Sequence, residues 1–190
     1  DVINLSPGTP MSTGRPLDVA MNDQTVLAVQ SAEGDIAFTR RGDLKVSPTG
    51  VLENAEGELV MGEGGPITVP VGNLITVSPD GTVFAQLPTD PEAAAIAIGQ
   101  LMLRDASQTE LVRRTDGLFE PREAALKGQD FPTGPKPVSV SPGMLEGSNV
   151  NPVATMVKML DFSRQFEMQL KLVKETQSID EAGSTMMRLP

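Results

Sequence analysis

The sequence contains no histidine, cysteine, tryptophan or tyrosine, and aromatic residues make up only 3% of it. Each absence removes a class of chemistry. Without histidine there is no Ser-His-Asp or Cys-His nucleophile and no imidazole proton shuttle. Without cysteine and histidine there is no ordinary zinc, iron–sulfur or haem site. No cofactor and no metal are expected, and catalysis would have to rest on carboxylates, Lys, Arg, Ser or Thr. No apolar run approaches the length needed to span a bilayer, so no membrane insertion is expected, and no signal peptide is recognisable. The lack of cysteine leaves the redox compartment open.

What is present is an acidic chain of 190 residues with a net charge of −10 and 39% hydrophobic residues. Phosphate backbones repel such a chain, so nucleic acid is not an expected partner. The hydrophobic content supports a core, and the scarcity of aromatics makes that core aliphatic. The charge is uneven. Residues 1–150 carry the whole net −10, whereas residues 151–190 balance to zero. This predicts an acidic, solvated body and a neutral tail with different surroundings.

The pattern along the chain predicts a mainly β fold: an antiparallel body of short strands and hairpins followed by one long C-terminal α-helix. Residues 1–14, rich in Pro, Gly, Ser and Thr, read as an extended lead-in. Residues 15–145 read as the β-rich domain and 146–190 as a helical assembly segment. Short runs of branched residues at 17–21, 26–30, 36–40, 44–47, 51–53, 58–61, 67–69, 74–78 and 83–87 alternate with Gly, Pro, Asn or Asp breaks. Ser47-Pro48-Thr49-Gly50 and Ser78-Pro79-Asp80-Gly81 echo one another, with Pro and Gly placed for similar turns. Asn54-Ala55-Glu56-Gly57 reads as a further hairpin turn. Residues 95–104 read as one strand, in which Gly99 signals a bulge or a close backbone approach. Runs 111–114 and 117–120 read as a pair, 121–137 as a long loop and 138–140 as the last strand.

From residue 151 the period becomes helical. Asn151 is a good N-cap, and Pro152 suits the first helical position. Neither Gly nor Pro interrupts the run to about residue 178, and Gly183 is expected to end or break the helix. Glu167 with Lys171, and Arg164 with Glu167, stand at ion-pair spacings. Val153, Met156, Val157 and Leu160 share one face; Met159, Phe162, Phe166 and Val173 share another; Met168 and Leu172 lie beside the first. A helix at the edge of a domain has one apolar stripe. Apolar residues on several faces predict burial on several sides, and these ten residues are the candidate assembly interface. Six of the ten methionines lie at or after residue 144, and Met adapts to irregular interfaces. The alternative is a lid packed across the β body.

Candidate chemistry is sparse. Gly62-Glu63-Gly64-Gly65-Pro66 is glycine-rich but lacks the Lys-Ser/Thr of a phosphate loop and reads as a turn. Asp80 with Asp116 could be imagined as a glycosidase pair, yet nothing in the spacing selects it. No calcium-loop run is present. Arg40-Arg41 and Arg113-Arg114 read as internal ion-pair partners.

Glu146-Gly147-Ser148-Asn149-Val150-Asn151-Pro152-Val153, with Met156-Val157-Lys158-Met159 and Arg164-Gln165-Phe166-Glu167-Met168-Gln169, resembles the C-terminal signature of bacterial flagellar rod and hook proteins, most closely the proximal rod type. Glu146, Gly147, Ser148, Asn149, Asn151 and Pro152 carry the most specific part. Gly14-Arg15-Pro16-Leu17-Asp18-Val19-Ala20, Phe38-Thr39-Arg40-Arg41-Gly42, residues 62–70 and Asp116-Gly117-Leu118-Phe119 resemble upstream blocks of the same family. Segment 22–27 departs from the family pattern, and Arg41 stands where Asn is common. The family's Asn-rich N-terminal helix does not appear, which implies a truncated chain. The resemblance implies a structural subunit of the periplasm-spanning rod, exported without a cleaved signal peptide. It implies that the terminal helix joins copies of itself and other rod subunits in a torque-transmitting tube around the export channel. A β-rich ligand- or glycan-binding module with a helical appendage is the alternative, and a carboxylate-based hydrolase a third reading.

Overall fold

The structure, a computed structural model, describes residues 3–89, 94–149 and 152–186, with helix side chains described for 153–177 and 179. Two compact units are present, residues 1–149 and 150–190. The first is built of short strands: β1 Pro10–Ser12, β2 Val19–Met21, β3 Thr25–Gln30, β4 Ile36–Thr39, β5 Leu44–Val46, β6 Leu52–Asn54, β7 Leu59–Gly62 and β8 Gly65–Pro66. The chain continues with β9 Leu74–Val77, β10 Thr82–Gln86, β11 Ile96–Gln100, β12 Leu103–Asp105, β13 Leu111–Arg113, β14 Phe119–Pro121, β15 Val140–Pro142 and β16 Met144–Glu146. A 3-10 turn spans Ala124–Leu126, and the second unit contains the helix α1, Pro152–Met186. The mainly β class with one C-terminal helix is therefore what the chain adopts.

The strands pair antiparallel because tight turns join them. At the two echoing turns, the Gly50 amide donates to Ser47 O at 2.9 Å and the Gly81 amide to Ser78 O at 2.9 Å. The flanking residues close the ring, Ser47 N to Val51 O at 2.8 Å and Ser78 N to Thr82 O at 2.9 Å. Gly50 and Gly81 hold φ of 78° and 87°, a left-handed conformation that a Cβ would disfavour. Asn54–Glu58, Ser31–Asp35 and Arg114–Leu118 close with the same pair of bonds. One turn design thus serves five hairpins.

The largest sheet runs β13-β14-β4-β3-β7-β6-β5, with β12 also paired to β3 and β8 to β7. β3 sits in its middle, and its first five residues are buried, so both faces pack. Val26 and Ala28 join a cluster with Leu5, Phe38, Leu111 and Phe131, whereas Leu27 faces a larger aliphatic cluster with Leu44, Leu52, Val83 and Leu103. Phe38 and Phe131 meet edge-to-face, ring centroids 4.6 Å apart, and are the only phenylalanines in the buried core of the described residues. A second sheet, β11-β10-β9, closes over the larger cluster.

Several expectations change. The run 95–104 is two strands, not one. β11 pairs with β10 and β12 with β3, because the chain passes from one sheet to another at Leu101–Met102. The register of β10 with β11 shifts between Val83 and Phe84, beside the expected irregularity at Gly99. Residues 67–69 form only an isolated bridge, Val51 to Thr68, since Pro66 and Pro70 on either side lack a ladder donor. The last strand is not 138–140 but β15 followed by β16. The expected lead-in is tied to the body: Leu5 is buried and β1 pairs with β16, Pro10 opposite Glu146 and Ser12 opposite Met144.

The helix α1 has 35 residues, about 52 Å at ~1.5 Å per residue. It runs past the expected stop and through Gly183, because one interior glycine costs only about 1 kcal/mol relative to alanine. The cap expected at Asn151 lies outside the described residues.

Candidate assembly interface

Three residues of the family signature, Glu146, Gly147 and Asn149, form a clasp inside the first unit. Arg40, just past β4, directs its guanidinium at the turn after β2 and at β16. Its Nε donates to Glu146 Oε2 at 2.8 Å and its Nη2 to Glu146 Oε1 at 2.9 Å. Nη2 also donates to Met21 O at 3.0 Å, and Nη1 to Asp23 O at 2.8 Å and Thr25 O at 2.9 Å. All five guanidinium N–H groups are thereby used. Asp23 is the one non-glycine among the described residues with positive φ, 47°, so Arg40 braces the very segment that departs from the family pattern.

Glu146 completes the clasp by accepting from the Gly8 amide at 2.7 Å. The Gly147 amide donates to Thr9 O at 2.9 Å, and Asn149 Nδ2 to Ser6 O at 3.1 Å. A Cβ on Gly8 would lie 1.9 Å from Gly147 O, so this approach admits only glycine at position 8. Glu146, Gly147 and Asn149 therefore hold the segment leading to the helix against residues 6–12. Ser148 is exposed. Asn151 and the Pro152 side chain lie outside the described residues.

The ten candidate interface residues all lie on α1, and all are exposed, from 51% at Val157 to 68% at Val153 and Met159. Leu170 and Ile179, which the sequence reading passed over, are exposed as well. At ~100° per residue these side chains are spread around the whole axis rather than along one stripe. Arg164, Glu167 and Lys171 form no ion pair with one another among the described residues, as suits exposed pairs that gain little in water. No helix among the described residues is long and apolar enough to cross a membrane.

The alternative chemistries find no site. Gly62 and Gly65 close the β7–β8 hairpin, and Glu63 is occupied by Arg104 at 2.7 Å. Asp80 is tied to Ser78 and Thr82 in its own turn, and Asp116 to Arg114, at 3.1 Å, in another. Among the described residues no three acidic side chains cluster as metal ligands. The basic pairs are mostly internal partners. Arg41 meets Asp43 and Glu56, and Arg114 meets Asp35 at 2.6 Å and Asp116. Arg113 is exposed and has no ion-pair partner among the described residues.

These pairs contribute to the acid response. The hydrogen bond from Arg114, assisted by the Ser31 hydroxyl, holds the Asp35 carboxyl below its ordinary value. Arg41 does the same for Asp43. A lowered carboxylate stabilises the fold above its unfolded value of ~3.9, and that contribution is lost as pH falls through the lower folded value. Arg114→Met should therefore melt below the wild type at pH 7, with the gap narrowing below about pH 4 as Asp35 protonates. Thermal melting across pH at constant high salt measures it; a gap that widens on acidification would contradict the pairing.

Comparison with known proteins agrees with this architecture. The family model described as "Flagellar basal body rod FlgEFG protein C-terminal" matches residues 141–186, and the one described as "Flagellar hook protein FlgE/F/G D1 domain" matches residues 20–85. The chain is 42% identical over 180 residues to the flagellar basal-body rod protein FlgF of Salmonella typhimurium, covering 94% of this chain and 70% of that protein. It is 42% identical over 182 residues to FlgF of Escherichia coli, covering 95% and 71%. Similarity to the rod protein FlgG of Caulobacter vibrioides is lower, 28% over 186 residues, covering 94% and 68%. With relatives this similar along nearly all of its length, the chain belongs to the FlgF family of flagellar basal-body rod proteins.

Proposed function

We propose that this chain is a structural, non-catalytic subunit of the proximal flagellar rod, joined to neighbouring rod subunits and to copies of itself through α1. The exposure of apolar side chains around the full circumference of the helix carries this reading. Soluble monomers rarely leave so much contiguous apolar surface in water. A helix in a packed tube has neighbours on more than one side, so this distribution suits a head-to-tail helical assembly. The acidic β unit then forms a solvated outer layer, and the clasp fixes the segment from which the helix starts. A tube of this kind would transmit torque and surround an export channel. The ligand-module alternative has no comparable support. In the concavity of the β unit beside Arg41, Asp43, Glu56 and Phe119, Arg41 is already engaged with Asp43 and Glu56.

Basal bodies purified from a motile bacterium that makes this protein should contain it in constant proportion to other rod components, and a strain lacking it should be non-motile until the gene is restored. Its absence from those basal bodies would remove the proposal.

A further inference from the structure

The described methionines differ widely in exposure. In the β unit, Met21 and Met102 are buried at 2% and 7% exposure, whereas Met11, outside the helix, is exposed at 56%. On α1, Met156, Met159 and Met168 are exposed at 65%, 68% and 60%. A thioether that reaches solvent reacts readily with peroxide, and a buried one does not. We propose that Met156, Met159 and Met168 are sites of reversible oxidation by hydrogen peroxide in the unassembled subunit, and that their oxidation blocks assembly. This inference rests on the reading of α1 as the assembly interface.

The chemistry is balanced. A sulfur lone pair takes one oxygen atom from hydrogen peroxide, the O–O bond breaks and water leaves. The sulfur gives up two electrons and the peroxide gains them. The product, methionine sulfoxide, is polar and chiral, so three positions that would enter a dry helix–helix contact would each bring a strong hydrogen-bond acceptor with no donor assigned to it. On different sides of the helix, the three affect more than one neighbour. Assembly should protect them, because packing removes the sulfur from solvent. Methionine sulfoxide reductases return the thioether, so a subunit oxidised before assembly can be recovered, provided both sulfoxide epimers are reduced.

The test compares two pools of the protein in motile cells given a brief sublethal dose of hydrogen peroxide during flagellar growth: subunits not yet assembled, and subunits in purified basal bodies. Peptide mass spectrometry should find sulfoxide at the three helix positions several-fold enriched in the unassembled pool, with Met21 and Met102 unmodified in both. Cells carrying Met156→Leu, Met159→Leu and Met168→Leu together should keep building rods at a peroxide dose that stops the wild type. Equal sulfoxide in the two pools, or rods in the wild type that are insensitive to peroxide, would overturn the proposal. Leu160→Asp with Phe166→Asp, examined without peroxide, separates the two ideas. If that variant assembles normally, the interface reading fails. If it does not assemble and the sulfoxide pools are equal, only the oxidation proposal fails.

Discussion

Replacing Leu160 and Phe166 together by Asp is expected to abolish incorporation into rods and with it motility, while the β unit folds and melts as before. Both side chains are exposed in the single chain, at 61% each, so the substitution removes no contact within the core. The whole effect falls on assembly. Fully burying each residue would contribute about 1.5–3 kcal/mol. An Asp in the same place would also need to be desolvated without a partner, which costs several kcal/mol more. Even the lower sum exceeds the ~1.4 kcal/mol that corresponds to a tenfold loss of affinity. The two positions lie about 120° apart around the helix, so the pair addresses more than one neighbour. Electron microscopy of basal bodies and swimming assays read the outcome. Normal rods would mean that α1 is not the contact.

The second large effect is in the β unit. Arg40→Ala is expected to destabilise it by about 3 kcal/mol, because Glu146 is left without its ion-pair partner and three backbone carbonyls lose a charged donor. The side chains of Arg40 and Glu146 are only 11% and 13% exposed, so water compensates little. For a unit of this size the loss corresponds to roughly 10 °C in melting temperature. Arg40→Lys should recover only part of it, since a point charge cannot bond both carboxylate oxygens and three carbonyls at once. Amide exchange at Gly8 and Gly147 should quicken in both variants, as β1 and β16 lose the clasp between them. An unchanged melting temperature in Arg40→Ala would show that the clasp adds nothing net.

Local signals in the sequence translate well into this fold. The Ser-Pro-x-Gly turns, the strand runs between them and the change of period after residue 150 are short-range patterns, and short-range geometry decides them. What the sequence hides is pairing at a distance. β1 joins β16 across more than a hundred residues, and its three residues, Pro-Met-Ser, give no alternating signal. The same holds for Arg40 and Glu146: each stands in a family block, yet nothing in either block names the other as its partner. The run 95–104 looks like one strand because its hydrophobicity is continuous, and only the change of sheet at Leu101 divides it. The helix continues beyond the end its sequence suggests because Gly183 is a weak stop in a helix that long. The candidate interface residues were legible as a set because apolar residues on every side of a helix are a periodicity signal. Which neighbour each one would meet in a rod depends on chains outside this one.

The central claim is that the surface of α1 is covered by other subunits in the rod. The natural absence of cysteine allows a direct measurement, since a single introduced Cys is the only thiol in the chain. Phe162→Cys and, as a control in an exposed turn of the β unit, Thr49→Cys can be challenged with a maleimide before and after assembly. The account predicts that the thiol at position 162 reacts in the free protein and is protected in purified basal bodies, whereas the thiol at position 49 reacts in both. Equal labelling at position 162 in the two states would contradict it.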